Sequence, residues 1–247
     1  MRLHQFAYSH FNEKVRWALA WKALPACRQT YLPGPHMRQV AKLSGQSQTP
    51  VLQHEDEVVV GSAAIIDWLE RQQPVPVLYP ADRNDRLAAL ALQAELDAGY
   101  GPAVRRLVFS VLVDDLGYLA RMFASQTSAA RRLAYRFVLP LVKPLMVKGN
   151  GLSPDAVRQA EQDVANTMDR MAERLHRRSY LFGESFSVAD LTLASLTAPL
   201  TRLTHEDMAK PEPVPDAMQA LMSRYADHPV TQWTQACYLR HRCRAAG

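Results

Sequence analysis

The sequence predicts an α/β N-terminal domain of order βαβαββα followed by an all-α C-terminal helical bundle. Residues 2–80 alternate short apolar runs with stretches of helical periodicity. Residues 72–85 contain three prolines followed by charged side chains, which is typical of a linker. Beyond this linker, apolar residues recur every three or four positions and no convincing strand pattern is found. We therefore expect two domains, at residues 1–80 and 86–247.

The first half of the N-terminal domain contains the pattern of a βαβ unit. Arg2–Phe6 and Cys27–Tyr31 are strand candidates, and residues 10–24 between them carry an apolar stripe that Pro25 ends. A helix that joins two strands within about 30 residues makes those strands parallel. We therefore expect the chain to begin with two parallel strands and a buried helix.

The second half of this domain predicts a helix, a hairpin and another helix. A looser helical pattern covers residues 37–43. Two apolar runs, at residues 51–53 and 58–60, flank a charged turn and predict a β-hairpin. The last helix of the domain begins at Ser62 and stops before Pro74.

The helical domain is predicted from four periodic stretches and one apolar segment. The periodic stretches are residues 86–98, 157–175, 190–200 and 217–225. The apolar segment, residues 137–147, is too short to span a bilayer and contains Lys143 and two prolines. It predicts a buried or interfacial helical segment with kinks.

The composition is that of a globular protein and excludes several classes. Apolar residues make up 48% of the 247 residues and charged residues 21%, which excludes extensive disorder. The formal net charge of +5 favours anionic ligands and is only a weak indication of nucleic-acid binding. Three cysteines are too few for a disulfide framework, and the N-terminus lacks the pattern of a signal peptide. We therefore expect a cytoplasmic protein.

The residues with the clearest chemical meaning lie where the first strand meets the first helix. A helix N-terminus offers free backbone N–H groups and the positive end of the helix dipole, which stabilise an anion or a thiolate. Ser9 lies at this point, and its hydroxyl can donate a further hydrogen bond. Thioredoxin-like redox proteins carry Cys-x-x-Cys here, whereas this chain has Ser9 and Asn12. A thiol that reacts at this position must therefore arrive on a ligand.

Four motifs, in order along the chain, carry a resemblance to a known family. They are SHFNEKVRWAL from Ser9, TPVL from Thr49, GSAAIIDWL from Gly61 and YLFGESFSVADLTLASL from Tyr180. The chain resembles the cytosolic glutathione transferases, in the bacterial form with serine at the active-site position, over essentially its whole length. The resemblance implies the glutathione transferase fold, in which a thioredoxin-like N-terminal domain binds glutathione and the helical domain contributes the electrophile site.

Within this resemblance, Ser9 is the expected catalytic residue, with its hydroxyl hydrogen-bonded to the glutathione sulfur. Ser9 could instead serve as a helix N-cap, because serine is among the best caps. Tyr8 also carries a hydroxyl donor and ranks second for that role. Asn12 is expected to be structural or to make a secondary polar contact.

The resemblance also assigns the cysteinyl and glycyl parts of glutathione. The Thr49–Pro50 bond is expected to be cis, so that the backbone of Thr49 pairs with the cysteinyl part. The alternative is an ordinary trans proline at the start of a strand. Val51 continues this binding segment, and Gln48 is a candidate contact for the glycyl end.

The γ-glutamyl end of glutathione is assigned to the helix that begins at Ser62. Ser62 can cap this helix while the helix N-terminus binds the γ-glutamyl carboxylate. Gly61 takes the place of an acidic residue that is common in the family. A contact to the amino group of the ligand is therefore expected to be lost, which lowers the affinity for glutathione.

The electrophile is expected to bind between the two domains. The candidate wall residues are Tyr8, Phe11, Tyr100, Arg105, Arg106 and Phe109. An arginine there could attract an acidic electrophile or the glutathione carboxylates. At least one of the two adjacent arginines is expected to be a solvated or interface residue instead.

A capping box in the helical domain is assigned to folding. Ser187 and Asp190 have the Ser-x-x-Asp spacing of the box, and Phe186 with Leu191 forms the matching hydrophobic staple. We expect these residues to stabilise the helix start and to take no part in catalysis.

The C-terminal tail has a weak metal pattern. Cys237, His241 and Cys243 lack the fourth ligand that structural zinc requires, so no metal is expected. The basic residues 240–247 are expected to form a mobile, solvated terminus.

The predicted function is a glutathione S-transferase that adds the glutathione thiolate to a small electrophile, as in detoxification. Glutathione is the co-substrate, and the resemblance implies a homodimer without nucleic-acid or membrane partners. A non-catalytic binding module of the same fold is one alternative. A glutathione-dependent reductase or isomerase is the other, although a reductase usually needs a cysteine at position 9 or 12.

Overall fold

The computed structural model describes residues 1–125 and 127–242. Four strands form one mixed sheet in the order β2-β1-β3-β4. They are β1 (Arg2–Phe6), β2 (Cys27–Tyr31), β3 (Val51–His54) and β4 (Glu57–Val60). Strand β1 pairs with β2 in parallel and with β3 in antiparallel orientation, and β3 with β4 forms the hairpin. The predicted parallel βαβ unit and the predicted hairpin are both confirmed.

Three helices accompany the sheet. They are α1 (His10–Trp21), α2 (His36–Ser44) and α3 (Ser62–Gln72). Helix α1 ends three residues before its predicted end, because Ala23 has a left-handed backbone with φ of +51° that an α-helix cannot continue through. Its last turn closes instead on Lys22, whose N–H donates to the carbonyl of Ala18.

The helical domain contains more helices than the periodic stretches predicted. They are α4 (Arg83–Glu95), α5 (Gly101–Leu112), α6 (Leu116–Phe123), α7 (Ala129–Asn150), α8 (Pro154–Leu175), α9 (Val188–Thr197), α10 (Asp216–Tyr225) and α11 (Pro229–His241). A π-helical turn over Leu96–Tyr100 joins α4 to α5, and a 3-10 turn over Ala198–Leu200 follows α9. The predicted all-α architecture is confirmed. No helix in residues 1–125 or 127–242 combines the length and the hydropathy that a membrane span requires.

Helix α1 holds the sheet against the helical domain. It packs against α3 on one side and α9 on the other. Trp17 of α1 is fully buried, and its ring stacks on Phe186 and meets Tyr238 edge-on, at centroid distances of 5.4 and 4.6 Å. The N-terminal end of α1 is therefore fixed relative to both parts of the chain.

The predicted capping box is present at the start of α9. The carboxylate of Asp190 accepts hydrogen bonds from the N–H groups of Ser187, at 2.9 Å, and Leu181, at 2.8 Å. Phe186 and Leu191, the predicted staple pair, are both buried. Burial raises the pKa of Asp190 to about 6.

A buried cluster of charges joins α1 to the C-terminal end of the described chain. Glu13 accepts hydrogen bonds from Arg16 and Arg242, each at 2.8 Å. Asp207 accepts from Arg242 at 2.6 Å and also pairs with Arg28. The expectation of a solvated tail is wrong at Arg242, which is only 4% exposed because two carboxylates hold it. Residues 243–247, with Cys243, lie outside the described residues.

Candidate functional site

A cavity of about 920 Å³ lies between the sheet side of the molecule and helices α5, α6 and α7. On the sheet side it is lined by the start of α1, the segment before β3 and the start of α3. Most of the sequence-predicted site residues line this cavity: Tyr8, Ser9, Phe11, Gln48, Thr49, Pro50, Gly61, Ser62, Arg105 and Phe109. The fold therefore brings together residues as far apart in the chain as Tyr8 and Phe109.

Ser9 is the N-cap of α1 and faces this cavity. Its backbone is extended, with φ of −153°, and its Oγ accepts a hydrogen bond from the N–H of Asn12 at 3.4 Å. The hydroxyl proton of Ser9 is not used in that bond, because Oγ acts there as an acceptor. Capping the helix and donating to a ligand are thus compatible roles for one side chain.

Tyr8 also lines the cavity, but its hydroxyl is engaged. The phenol donates a hydrogen bond to the carbonyl of Ala209, in the segment that precedes α10. Burial raises the pKa of Tyr8 above its ordinary value, which keeps the proton on the phenol. This geometry favours Ser9 over Tyr8 as the donor to a thiolate.

Asn12 and the Thr49–Pro50 turn connect α1 to the strand that follows. The Nδ2 of Asn12 donates to the Oγ1 of Thr49 at 3.2 Å, and the Thr49–Pro50 bond is cis. The carbonyl of Pro50 accepts the N–H of Gly61 at 3.0 Å. Val51 is fully buried in β3, where it lies opposite His4 of β1 and Val60 of β4, and this position does not support its expected contact with glutathione. Val51 is not among the residues that line the cavity.

The N-terminus of α3 opens onto the same cavity as the N-terminus of α1. Gly61 is the N-cap, with φ of +89°, and none of the described side chains caps this helix. Ser62 is therefore the first helical residue, which corrects its expected role as the cap. Ser62, Ala63 and Ala64 line the cavity, and their N–H groups belong to the uncapped first turn.

The two adjacent arginines of α5, Arg105 and Arg106, have different surroundings. Arg105 lines the cavity, forms no ion pair among the described residues, and has a buried Nε without a hydrogen-bond partner there. Burial, with the charge of Arg106 beside it, lowers the pKa of Arg105. Arg106 does not line the cavity, and its Nε donates to the carbonyl of Asn150 at 2.9 Å. Assigning Arg106 to the electrophile site was wrong, because it ties α5 to the end of α7.

Tyr100 is a second correction to the expected wall. It is 2% exposed and does not line the cavity, because its hydroxyl shares a hydrogen bond of 2.9 Å with Oγ1 of Thr197 inside the helical domain. Its place in the π-helical turn directs the side chain toward α9 rather than toward the sheet.

Among the polar residues of the cavity that the sequence analysis missed are His10, Tyr118 and Lys210. The Nε2 of His10 lies 3.1 Å from the carbonyl of Gly101, and burial with the nearby Arg105 lowers the pKa of His10 to about 3, so the ring is neutral and Nε2 carries the proton. The hydroxyl of Tyr118 is buried without a hydrogen-bond partner among the described residues. His10 adjoins Ser9 in the first motif and could have been noticed.

Lys210 was not recognisable from the sequence, because it lies in an irregular segment outside every motif. Its Nζ donates to the carbonyl of Thr201 at 2.8 Å and has no carboxylate partner among the described residues. Burial, with the charge of Arg202, lowers the pKa of Lys210 to about 7. Arg105 and Lys210 thus give the cavity two basic groups that have no acidic partner within residues 1–125 and 127–242.

Three side chains of the kinds that bind metal ions lie close together, one on α1 and two in the segment before α10. The ligand atoms of Glu13, His205 and Asp207 are within 4.8 Å of one another. Although burial alone would raise it, Arg242 and Arg16 hold the pKa of Glu13 down to about 2. Both carboxylates accept hydrogen bonds from arginines, so the chemistry of this group fits an ion cluster better than a cation site.

Two of the three residues of the weak metal pattern in the tail, Cys237 and His241, lie within the described part of the chain. Cys237 is buried, and burial raises the pKa of its thiol, which opposes metal binding. His241 shares a hydrogen bond of 2.9 Å with the hydroxyl of Tyr180. Cys243 lies outside the described residues.

Two family models match the chain. The glutathione S-transferase N-terminal domain matches residues 3–80, and the glutathione S-transferase C-terminal domain matches residues 154–228. The two matches together cover more than half of the chain and fall on the two parts that differ in architecture.

Similar proteins agree with these matches. The chain is 32% identical over 132 residues to a maleylpyruvate isomerase of a Ralstonia species, covering 52% of this chain and 59% of that protein. It is 29% identical over 97 residues to a glutathione S-transferase of Pseudomonas putida, covering 39% of this chain and 44% of that protein. The aligned part thus spans about half of the length of these relatives.

Among solved structures, a beta-etherase from a Sphingobium species has the same fold. The TM-score is 0.60 at 19% identity, and the alignment covers 94% of this chain and 97% of the other. The matched domains, the mixed sheet and the helical bundle lead to one conclusion: this chain is a member of the glutathione S-transferase family.

Proposed function

We propose that this protein is a glutathione-dependent enzyme that adds the glutathione thiolate to a small electrophile. The observation that carries the proposal is that the N-termini of α1 and α3 open onto one cavity. Each N-terminus attracts an anion. Glutathione carries a thiolate and a γ-glutamyl carboxylate, which match the two positions.

Ser9 is assigned to activate the thiol. A free thiol titrates near pH 8.5, so the site must lower its pKa to populate the thiolate at neutral pH. The hydroxyl of Ser9 and the free N–H groups at the start of α1 would stabilise the thiolate, and the thiol proton would leave to water. The thiolate then forms a C–S bond with the electrophile, which either takes up a proton or loses a leaving group.

The remainder of glutathione is assigned to the segment before β3 and to α3. The γ-glutamyl carboxylate would accept from the N–H groups of Ser62 and Ala63, and the cysteinyl backbone would pair with Thr49. Gln48 lines the cavity and is exposed, as a contact for the glycyl end requires. Gly61 brings no carboxylate to the ligand amino group, so we expect moderate affinity for glutathione.

The second substrate is assigned to the helical side of the cavity. Phe11 and Phe109 supply apolar surface there, and the guanidinium of Arg105, which forms no ion pair among the described residues, favours an electrophile that carries a carboxylate. An unpaired buried cation is costly, and a bound anion would offset that cost.

Glutathione-dependent isomerisation is the second candidate function. Arg105 and Lys210 favour an acidic substrate, and one relative bears the name maleylpyruvate isomerase. Reversible addition of the thiolate to a conjugated double bond, followed by its elimination, would change the geometry of that bond and return glutathione. Recovery of unconsumed glutathione after turnover distinguishes this reaction from conjugation.

The test is calorimetric titration of reduced glutathione into wild type, Ser9→Ala and Ser9→Thr between pH 6 and pH 9. Wild type should bind and release a proton near neutral pH, whereas Ser9→Ala should bind with the release moved to higher pH. Ser9→Thr keeps both the hydroxyl and the cap and should behave as wild type. No binding to wild type at millimolar glutathione would contradict the proposal, and binding without turnover of any electrophile would indicate a non-catalytic binding module.

The anionic substrate is tested with the two adjacent arginines. Arg105→Met should raise KM for a carboxylate-bearing electrophile about tenfold or more, because a charge-assisted hydrogen bond contributes about 1.5–3 kcal/mol. Its KM for a neutral electrophile should change little. Arg106→Met is the matched control and should leave the ratio of the two KM values unchanged. Equal effects of the two variants would refute the role of Arg105.

We also propose a homodimer in which the N-terminal domain of one subunit packs on the helical domain of the other. Val58 of β4 and Leu87 of α4 support an interface, since both are apolar and exposed. Sedimentation of wild type should give the dimer mass, and Leu87→Asp should shift it to the monomer. A monomeric wild type would overturn this assembly.

A further inference from the structure

Helix α7 presents a row of large apolar side chains to solvent. Leu133, Phe137, Leu141 and Leu145 are 58%, 75%, 80% and 58% exposed. Their spacing of four residues places them on one stripe along the helix. Single exposed apolar residues are ordinary, but a contiguous row of four marks a binding surface. These four residues are called the α7 ridge below.

The ridge is not needed to hold α7 in place. The opposite face of the helix is buried through Tyr135, Leu139, Val142 and Met146. The hydroxyl of Tyr135 donates to the carbonyl of Pro33 at 2.9 Å, which anchors the helix to the sheet side. Because the inner face supplies the packing, the ridge is free to meet something outside the molecule.

The charges of α7 indicate the kind of partner that the ridge binds. The helix contains five basic residues and no acidic residue. The whole chain has 29 basic and 24 acidic side chains, so the residues outside α7 are balanced and the net charge of +5 resides in this helix. Arg132 and Arg136 are exposed, lie one turn apart and form a basic flank beside Leu133 and Phe137, whereas Lys143 lies on the side of the helix away from Leu141. Lys143 pairs with Asp114, whose side chain is itself 83% exposed.

We propose that the α7 ridge docks this protein on an anionic membrane surface. Helices that lie in a membrane interface combine a face of Leu and Phe with flanking Lys and Arg, and anionic lipids attract the basic side chains. The association is peripheral, since no described helix has the length and hydropathy of a membrane span. Such an association differs from the expectation, made from the sequence, that the protein has no membrane partner.

A second copy of the chain fits the ridge less well. In a two-fold dimer the same patch meets itself, so the basic flank of one α7 would lie close to that of the other. No acidic residue of α7 is present to neutralise it, and like charges across an interface are unfavourable. An anionic surface has the complementary charge.

The docked orientation has a consequence for the cavity. Leu145 belongs to the ridge and also lines the cavity, and Val142 and Met146 line it from the inner face of the same helix. A docked ridge would therefore place the α7 wall of the cavity at the lipid surface.

The test is sedimentation of the full chain with vesicles of phosphatidylcholine alone or mixed equally with phosphatidylglycerol. Wild type should bind the mixed vesicles and lose binding as salt is raised. Leu141→Ser should lower the partition coefficient about tenfold, because burial of a leucine side chain is lost. Leu239→Ser is the matched control, since Leu239 of α11 is 85% exposed, and it should bind as wild type. Replacing Arg132 and Arg136 by Gln should reduce binding to the mixed vesicles.

Thermal unfolding of each variant checks that the fold is intact, which we expect because all of these positions are exposed. Equal binding of wild type to both kinds of vesicle, or equal partition of Leu141→Ser and Leu239→Ser, would overturn the proposal. Concentration-dependent self-association of wild type that Leu141→Ser abolishes without vesicles would overturn it as well, and would assign the ridge to a second copy of the chain.

Discussion

The buried cluster around Arg242 gives a quantitative prediction for the substitution Arg242→Met. This change removes a guanidinium that lies 2.8 Å from the Glu13 carboxylate and 2.6 Å from the Asp207 carboxylate. Asp207 keeps its pair with Arg28, whereas Glu13 keeps Arg16 as its one cationic partner in the part of the chain that the structure describes. The main effect should therefore be an under-compensated buried charge on Glu13.

The magnitude follows from the surroundings of Glu13. Its pKa is held at about 2, against an ordinary value of 4.5, by Arg242 and Arg16 in spite of burial. Removing one partner of a buried ion pair typically costs about 3–5 kcal/mol, and the retained Arg16 places the expected cost at the lower end of that range. We expect Arg242→Met to lower the free energy of unfolding by about 3 kcal/mol and the melting temperature by about 6–12 °C.

The effect has a definite dependence on pH. The folded-state pKa of Glu13 lies below its unfolded value, so its stabilisation is complete above about pH 4.5 and is lost as the pH falls toward 2. The difference in stability between wild type and Arg242→Met should be largest near neutral pH. It should shrink as the pH is lowered below about 5, where the carboxyl of the variant takes up a proton.

Urea unfolding of both proteins at a series of pH values from 7 down to 4 measures this difference. Arg240→Met is the matched control, because Arg240 is an exposed residue in the last turn of α11, two positions before Arg242, and it should change the free energy of unfolding by less than about 0.5 kcal/mol. The reasoning is refuted if Arg242→Met lies within about 1 kcal/mol of wild type at pH 7. A difference that grows as the pH falls would refute it equally.

Three further predictions concern residues at or just before the start of a helix. Asp190→Ala should cost about 2–4 kcal/mol of stability, because two buried N–H groups lose their acceptor, while calorimetric glutathione affinity stays unchanged; a loss of affinity would contradict the assignment to folding. Tyr8→Phe should leave the pKa of the bound thiol as in wild type, because the phenol donates to Ala209; a rise of one unit in the thiol titration would transfer the role to Tyr8. Gly61→Ala should cost about 1–2 kcal/mol in thermal unfolding, since φ there is +89° although the space is open, and an unchanged melting temperature would disprove that strain.

The sheet and its helices were predictable because their signals are local. Alternation of short apolar runs and a charged turn at residues 54–57 marked the strands, and Ser-x-x-Asp at Ser187 marked the start of α9. The early end of α1 was not predictable, because it depends on the left-handed backbone of Ala23, and alanine is otherwise a strong helix former.

The site was partly predictable for the same reason. The motifs at Ser9 and Thr49 lie on segments whose ends meet at the cavity. The order of these motifs in the chain was therefore sufficient to predict that the two residues lie close together. The place of Lys210 at the cavity and the burial of Arg242 were not predictable, because both depend on the packing of segments distant in sequence. A basic residue near a terminus looks solvated until the fold supplies two carboxylates.

The pairing of Glu13 with Arg242 also bears on how the protein is made. The two residues are 229 positions apart. At about 5–20 residues per second, a ribosome needs roughly 10–50 s to proceed from one to the other. During that interval the first helix has been synthesised, and its Glu13 carboxylate has Arg16 as a partner but not yet Arg242. The N-terminal domain therefore gains this stabilising contact only after α11 and Arg242 have been translated.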